Sequence, residues 1–308
     1  MSFIEINDLT KVIPIKAQNR MALDKISLGV QSGEAVGLLG PSASGKTTLA
    51  RLLAGLSHPT AGSIKIDGFA PSDPRSRRAL GYLPDRTIFP GHLTPVQALR
   101  LTARMAGVPG DETSARMSEL LDCLDLAKWT DMKVSKFTPD MTKRLALAVT
   151  LIARPECLLV DEPFGKVESA TRDLIARRLK AAHADGATLI VLSRSLGSIA
   201  PFATRILMIN HGRILRETPL GELVLDTKLL EIDADIGDKL IELEPKIGRV
   251  ISISRKRLMV EPTNENAVNT IIDYLRYKGI SIHAVRRRRA SHDATWQELA
   301  QREEEVTA

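Results

Sequence analysis

The chain has 308 residues, 44% hydrophobic and 26% charged, enough for one large domain and one small one. No apolar stretch approaches the ~20 residues of a transmembrane helix, and no leader with a charged start and an apolar middle opens the sequence, so a membrane role is expected to need a partner chain. The formal net charge is +6, concentrated in Arg249, Arg255, Lys256, Arg257, Arg276, Lys278 and the run Arg286-Arg287-Arg288-Arg289. Such a cluster can bind nucleic acid or acidic headgroups. Because no aromatic residue interleaves with the run Arg286–Arg289, as single-strand stacking would need, solvated strand ends are the expectation and no nucleic-acid partner is expected. Cys123 and Cys157 lie far apart in apolar runs and read as reduced, buried thiols.

In chain order, residues 3 to 40 read as strands and turns, the last strand being Ala35-Val36-Gly37-Leu38-Leu39. Gly40-Pro41-Ser42-Ala43-Ser44-Gly45-Lys46-Thr47-Thr48 follows, and it fits the phosphate-binding P-loop pattern at every fixed position. Its glycines let the backbone curl with N–H groups pointing inward, and the helix expected from Thr48 to Leu53 adds a partial positive charge. Lys46 is expected on the β- and γ-phosphates and the Thr47 hydroxyl on Mg²⁺. Ser63 to Gly68 alternates as a strand, and Arg78 to Leu83 reads as another. Between about Leu93 and Arg154 apolar residues recur at helical spacing, with helices over Val96 to Met105 and Ala115 to Leu126. Thr138-Pro139-Asp140 opens a third helix through Leu151, with Thr138 as N-cap and proline at the first helical position.

Cys157-Leu158-Leu159-Val160-Asp161-Glu162-Pro163 is an apolar strand ending in two carboxylates. Beside a P-loop the first, Asp161, can hold Mg²⁺ and the second, Glu162, can polarise the attacking water. A helix at about Ala170 to Ala184 and strands at Thr188 to Ser193 and Ile206 to Asn210 come next, then a hairpin at His211-Gly212-Arg213. From Leu229 the pattern changes: strand Leu229 to Ala234, short helix Gly237 to Leu243, hairpin Arg249 to Ser254 with Leu258 to Glu261, helix Asn266 to Lys278, strand Ile280 to Val285. That βαββαβ order predicts a small ferredoxin-like α+β domain over residues 228–308, beyond a linker near Pro219 to Thr227.

These residues resemble the ATP-binding subunit of an ABC transporter. Leu39 to Thr48 resembles that family's P-loop, Pro59-Thr60-Ala61-Gly62-Ser63 its continuation, and Leu80-Gly81-Tyr82-Leu83-Pro84-Asp85 the approach to its Q-loop. Lys143-Arg144-Leu145-Ala146-Leu147-Ala148 resembles the helix after its signature motif. Gly279-Ile280, the arginine run and Ser291 to Leu299 are similar to the C-terminal extension of ABC-2 type exporters. The resemblance implies an α/β P-loop NTPase domain over residues 1–222, with a helical subdomain at about 87–154, binding ATP and Mg²⁺. It implies phosphate contacts from Gly40, Ser42, Ala43, Ser44, Gly45, Lys46, Thr47 and Thr48, and a metal set of Thr47, Asp85 and Asp161. It also implies pairing with a second ATP-binding subunit, as homodimer or heterodimer, and with multi-span permease subunits at the cytoplasmic face of the membrane. Each ATP then lies between one subunit's P-loop and the other's signature.

The sequence departs from the family where the chemistry is sharpest. Thr138-Pro139-Asp140 stands where a serine and two glycines grip the opposite γ-phosphate; proline removes an N–H and Asp140 adds negative charge. Arg194 occupies the switch-histidine position, Glu168 the D-loop aspartate and Asp85 the Q-loop glutamine. Val12-Ile13 replaces the aromatic that stacks on adenine, leaving Ile13 for an apolar contact, and His211 reads as an exposed turn. The expectation is a weak or partner-dependent ATPase, Glu162 being its catalytic group. A regulatory subunit that binds without hydrolysis is the alternative, and a soluble nucleic-acid-associated ABC protein a further one.

Overall fold

The computed structural model describes residues 2–15, 18–165, 167–221, 230–237, 241 and 243–287. By internal contacts the chain divides into two units, Met1–Leu220 and Gly221–Ala308.

In the first unit, β1 (Ser2–Ile15) and β2 (Gln18–Gln31) form an antiparallel hairpin, and β4 (Ala61–Ile66) pairs with the other edge of β1. The second sheet has the order β5-β6-β7-β3-β8-β9. Its strands are β3 (Ala35–Leu39), β5 (Leu80–Leu83), β6 (Cys157–Asp161), β7 (Thr188–Ser193), β8 (Arg205–Asn210) and β9 (Arg213–Pro219). All pair in parallel except β9, which returns antiparallel to β8. Every residue of β3, β6 and β7 is buried, as expected for parallel strands covered on both faces. Ile4, Ile6, Leu9, Leu23 and Ile26 of the antiparallel sheet share one core with Val36, Leu38, Leu159 and Ile190 of the parallel sheet and Leu49 of α1 (Lys46–Leu53). That common core fixes the carboxyl ends of β3, β6 and β7 against one another, where doubly wound sheets place their ligands.

The helical insertion contains α3 (Pro95–Ala106), α4 (Gly110–Cys123) and α5 (Pro139–Leu151). Thr94 caps α3 in a reciprocal capping box with Gln97. The second helix corrects its expected bounds of Ala115 to Leu126. Asp111 and Glu112 suit the positive end and start it earlier, and Asp125, at φ 52°, stands just past its end. A second correction concerns Arg78: it lies in α2 (Pro74–Ala79), and the strand begins at Leu80. Asp73 accepts from the Arg75 N–H and Pro74 occupies the first turn, a helix start stronger than the short alternation after it. α6 (Ser169–Ala184) follows the expected span, and the single turn α7 (Leu196–Ile199) is an element the periodicity did not announce.

The second unit has a four-stranded antiparallel sheet in the order β11-β12-β10-β13. The strands are β10 (Leu230–Ala234), β11 (Gly248–Ser254), β12 (Arg257–Pro262) and β13 (Ile282–Arg287). α8 (Glu265–Tyr277) carries Ile271 and Leu275 into a core with Ile232, Leu258 and Val260. β13 starts two residues later than expected, because Lys278 and Gly279 end α8 and Ile280 packs as the connection. The expected helix Gly237 to Leu243, the linker beyond Gly221 and the segment Ser291 to Leu299 fall wholly or largely outside the described residues.

Candidate functional site

The P-loop leaves the buried end of β3 and closes onto α1. Gly40 donates its N–H to the Ser193 carbonyl at 3.2 Å, and a Cβ at Gly40 would lie 2.3 Å from the Ile209 oxygen. Gly45 has φ +110°, which an L side chain rarely adopts. The loop is braced from below by the turn between β8 and β9. Gly212 donates to Ser44 O and accepts from Asp24 N–H, both at 2.9 Å. Its φ is +77°, and a Cβ there would stand 2.7 Å from the Ala22 oxygen. Gly212→Ala is therefore expected to cost about 1–3 kcal/mol, read as a lower thermal midpoint; an unchanged midpoint would remove the brace from the account. His211 beside it is exposed, as read from the sequence.

The Lys46 ammonium curls into its own loop, donating to Gly40 O at 2.7 Å, Pro41 O at 2.8 Å and Ser44 Oγ at 3.3 Å. Burial pulls its pKa below the ordinary lysine value, against the opposing pull of Glu162 and Asp161. Thr47 Oγ1 donates to Asp161 Oδ2 at 2.9 Å. The other oxygen, Asp161 Oδ1, is buried and has no hydrogen-bond partner among the described residues. Burial pushes the Asp161 carboxyl up, the Thr47 bond pulls it down, and the charges of Glu162 and Asp85 raise it further. A buried carboxylate with one unpartnered oxygen, a hydroxyl on the other and acidic neighbours is what a hard divalent cation needs; Mg²⁺ fits these residues.

Glu162 has φ +48°, an uncommon conformation for a residue with a side chain. Its Oε2 accepts from Ser193 Oγ at 2.8 Å, and Oε1 accepts from the Arg194 N–H at 3.0 Å and Arg194 Nε at 3.2 Å. The ion pair is lopsided, with Glu162 15% and Arg194 63% exposed, so water screens the arginine side. The residue at the switch position thus lies on the carboxylate expected to hold the water.

At the start of α5, Thr138 Oγ1 accepts from Met141 N–H at 3.2 Å and Pro139 occupies the first turn, the self-capped helix start read from the sequence. Asp140 Oδ1 accepts from the Glu168 N–H at 3.0 Å. Glu168 stands at the N-cap of α6 and its own side chain makes no capping bond, so Asp140 supplies an acceptor there. Asp140 and Glu168, read separately from the sequence, are in contact.

Ile13, Ser42 to Thr48, Asp85, Pro139, Glu162 and Arg194 line one cavity of ≈ 780 Å³. Sequence reasoning missed three cationic residues lining it: Arg20, whose Nη2 donates to Ala43 O at 3.2 Å, Arg86 and Lys143. A signal for Lys143 was present: it is a lysine among the apolar positions of α5.

The family model "ABC transporter" matches residues 23–165. Over 227 residues the chain is 32% identical to the Nod factor export ATP-binding protein I of Burkholderia thailandensis, covering 73% of this chain and 72% of that protein. The chain belongs to the ABC transporter ATP-binding proteins. The spermidine/putrescine import ATP-binding protein PotA of Acidothermus cellulolyticus is 31% identical over 214 residues, 68% of this chain and 56% of that protein. Among solved structures, the ATP-binding cassette MJ0796, a dimer in a post-hydrolysis state with ADP and Pi, superposes with a TM-score of 0.66 at 25% identity, covering 70% of this chain and 98% of that one. As an ABC ATPase the chain binds ATP with Mg²⁺ and serves a transporter as its ATP-binding subunit. Among the described residues no helix is long and apolar enough to cross a membrane.

Proposed function

We propose that this chain is the ATP-binding subunit of an ABC-2 type exporter, acting from the cytoplasmic face of the membrane on multi-span permease subunits, with slow hydrolysis of Mg-ATP. Support for export comes from the relatives named for Nod factor export, one of which aligns over 257 residues, 82% of this chain. Relatives named for import also align, so the direction rests on the longer alignment and on the C-terminal unit, which we assign as a ferredoxin-like accessory domain of residues 228–308. Affinity capture of the full chain from its native membrane, followed by identification of the co-purifying multi-span protein, tests the assignment; a substrate-binding protein of an importer in that complex would overturn it.

In the cycle, the P-loop N–H groups and Lys46 hold the β- and γ-phosphates, and Ile13 takes the adenine face. Thr47, Asp161 and Asp85 would hold the Mg²⁺ ion, which when bound would neutralise charge at the phosphates. Glu162 orients the attacking water and draws off its proton. The observation that carries slow turnover is the Arg194 clamp on the Glu162 carboxylate: the base must leave two arginine donors before it can serve a water. Arg194 stays protonated and cannot relay a proton as histidine does. The same clamp favours a second reading, a regulatory subunit in which bound ATP holds a dimer and hydrolysis is incidental; phosphate release by the assembled complex separates the two. For the nucleic-acid reading the described surface gives little support, since Arg257 pairs with Glu231 and Asp233, and Arg286 with Asp233.

If the chain pairs with itself, both composite sites contain Thr138-Pro139-Asp140. Replacing Pro139 and Asp140 with glycines restores an N–H donor and removes a carboxylate that a closed interface screens poorly. The expected result is faster ATP hydrolysis or tighter ATP-dependent dimerisation in the complex, with about 1–2 kcal/mol of helix stability lost. Unchanged activity in a folded variant would mean that Asp140 serves the α6 end alone and does not face a phosphate.

A further inference from the structure

Lys143 is 7% exposed, within the second turn of α5, yet it carries an ammonium. A buried lysine needs a partner for each of its three N–H bonds. The partners of Nζ are backbone carbonyls: Pro84 O at 3.1 Å, Asp85 O at 3.4 Å and Glu162 O at 3.2 Å. Two belong to the loop after β5 that carries Asp85, and the third belongs to the residue proposed to orient the water. One ammonium therefore joins α5 to both segments that bear the acidic groups of the site.

The attachment at Glu162 matters most. Its φ of +48° is held from four directions. The N–H donates to Leu192 O at 2.8 Å, one carboxylate oxygen accepts from Ser193 Oγ, the other accepts from Arg194, and the carbonyl accepts from Lys143. A strained conformation persists only where its surroundings over-determine it. Removing the Lys143 donor frees the peptide that sets the direction of the carboxylate.

We propose that Lys143 is a positioning residue for hydrolysis: its ammonium, bound to the carbonyls of Pro84, Asp85 and Glu162, sets the loop of Asp85 and the carboxylate of Glu162 relative to the P-loop. In this arrangement the Lys143 ammonium is directed at these three carbonyls, none of which belongs to the P-loop. Its loss lowers turnover and leaves nucleotide affinity nearly untouched, since the P-loop keeps its own bonds.

The inference rests on the hydrolytic role given to Glu162, and the test separates the two. Lys143→Met keeps the stem and its packing while deleting charge and donors; Lys143→Arg restores both. In the full chain with its complex, Lys143→Met is expected to reduce kcat about ten- to a hundredfold, with KM for ATP within about threefold and Lys143→Arg recovering most of the loss. Backbone hydrogen exchange of the full-length protein is read in parallel, over residues 84–86 and 162–165. Faster exchange there in Lys143→Met, with an unchanged P-loop, is expected whether or not the parent turns over. Parental exchange in Lys143→Met overturns the tether, and parental kcat despite faster exchange overturns the positioning role. Should the parent hydrolyse nothing while the exchange difference appears, it is the Glu162 reading that fails and the positioning role with it, the tether remaining.

Discussion

Glu162→Gln is expected to abolish residual ATP hydrolysis while leaving Mg-ATP bound, a fall of about 10² to 10⁴ in kcat. The amide matches the carboxylate in shape, and its carbonyl oxygen can still accept from Ser193 Oγ or the Arg194 N–H, so the geometry around the φ of +48° is kept. What disappears is the basic oxygen that draws a proton from water. Steady-state phosphate release from the complex, with nucleotide binding measured on the same preparation, checks both halves. A variant that turns over like its parent would show that another group orients the water, and the weight placed on the Arg194 clamp would go with it.

Lys46→Ala is expected to weaken ATP binding at least tenfold, about 1.4 kcal/mol or more. Among the described residues the Lys46 ammonium donates to oxygens of its own loop, Gly40 O, Pro41 O and Ser44 Oγ, and burial already makes its charge less comfortable than in water. A triphosphate brings anionic oxygens to the same place, and the attraction is strongest where water is excluded. Isothermal titration with Mg-ATP reads the difference directly; unchanged affinity in a folded variant would place the nucleotide elsewhere.

The sequence by itself determined the P-loop, the acidic end of β6, the positions of strands β3, β7 and β8 and the capped start of α5, because each is encoded within a few neighbouring residues. Fixed glycines, an unbroken apolar run ending in Asp161-Glu162 and an N-cap followed by proline all act over one turn or one strand. The misplaced boundaries have the same origin: at Arg78 a local helix start at Asp73-Pro74 outweighed a weaker alternation, and at α4 the charge preference of the helix end outweighed the apolar spacing. What only the tertiary structure decided are the contacts across long separations in the chain. Arg194 lies on Glu162 across 32 residues, Asp140 caps the start of α6 at Glu168 across 28, and Lys143 reaches back 59 residues to Pro84. No residue spacing encodes these pairs. They arise because the parallel sheet brings the ends of β5, β6 and β7 side by side and packs α5 against them, so that polar groups buried there must find partners in segments the chain itself keeps far apart.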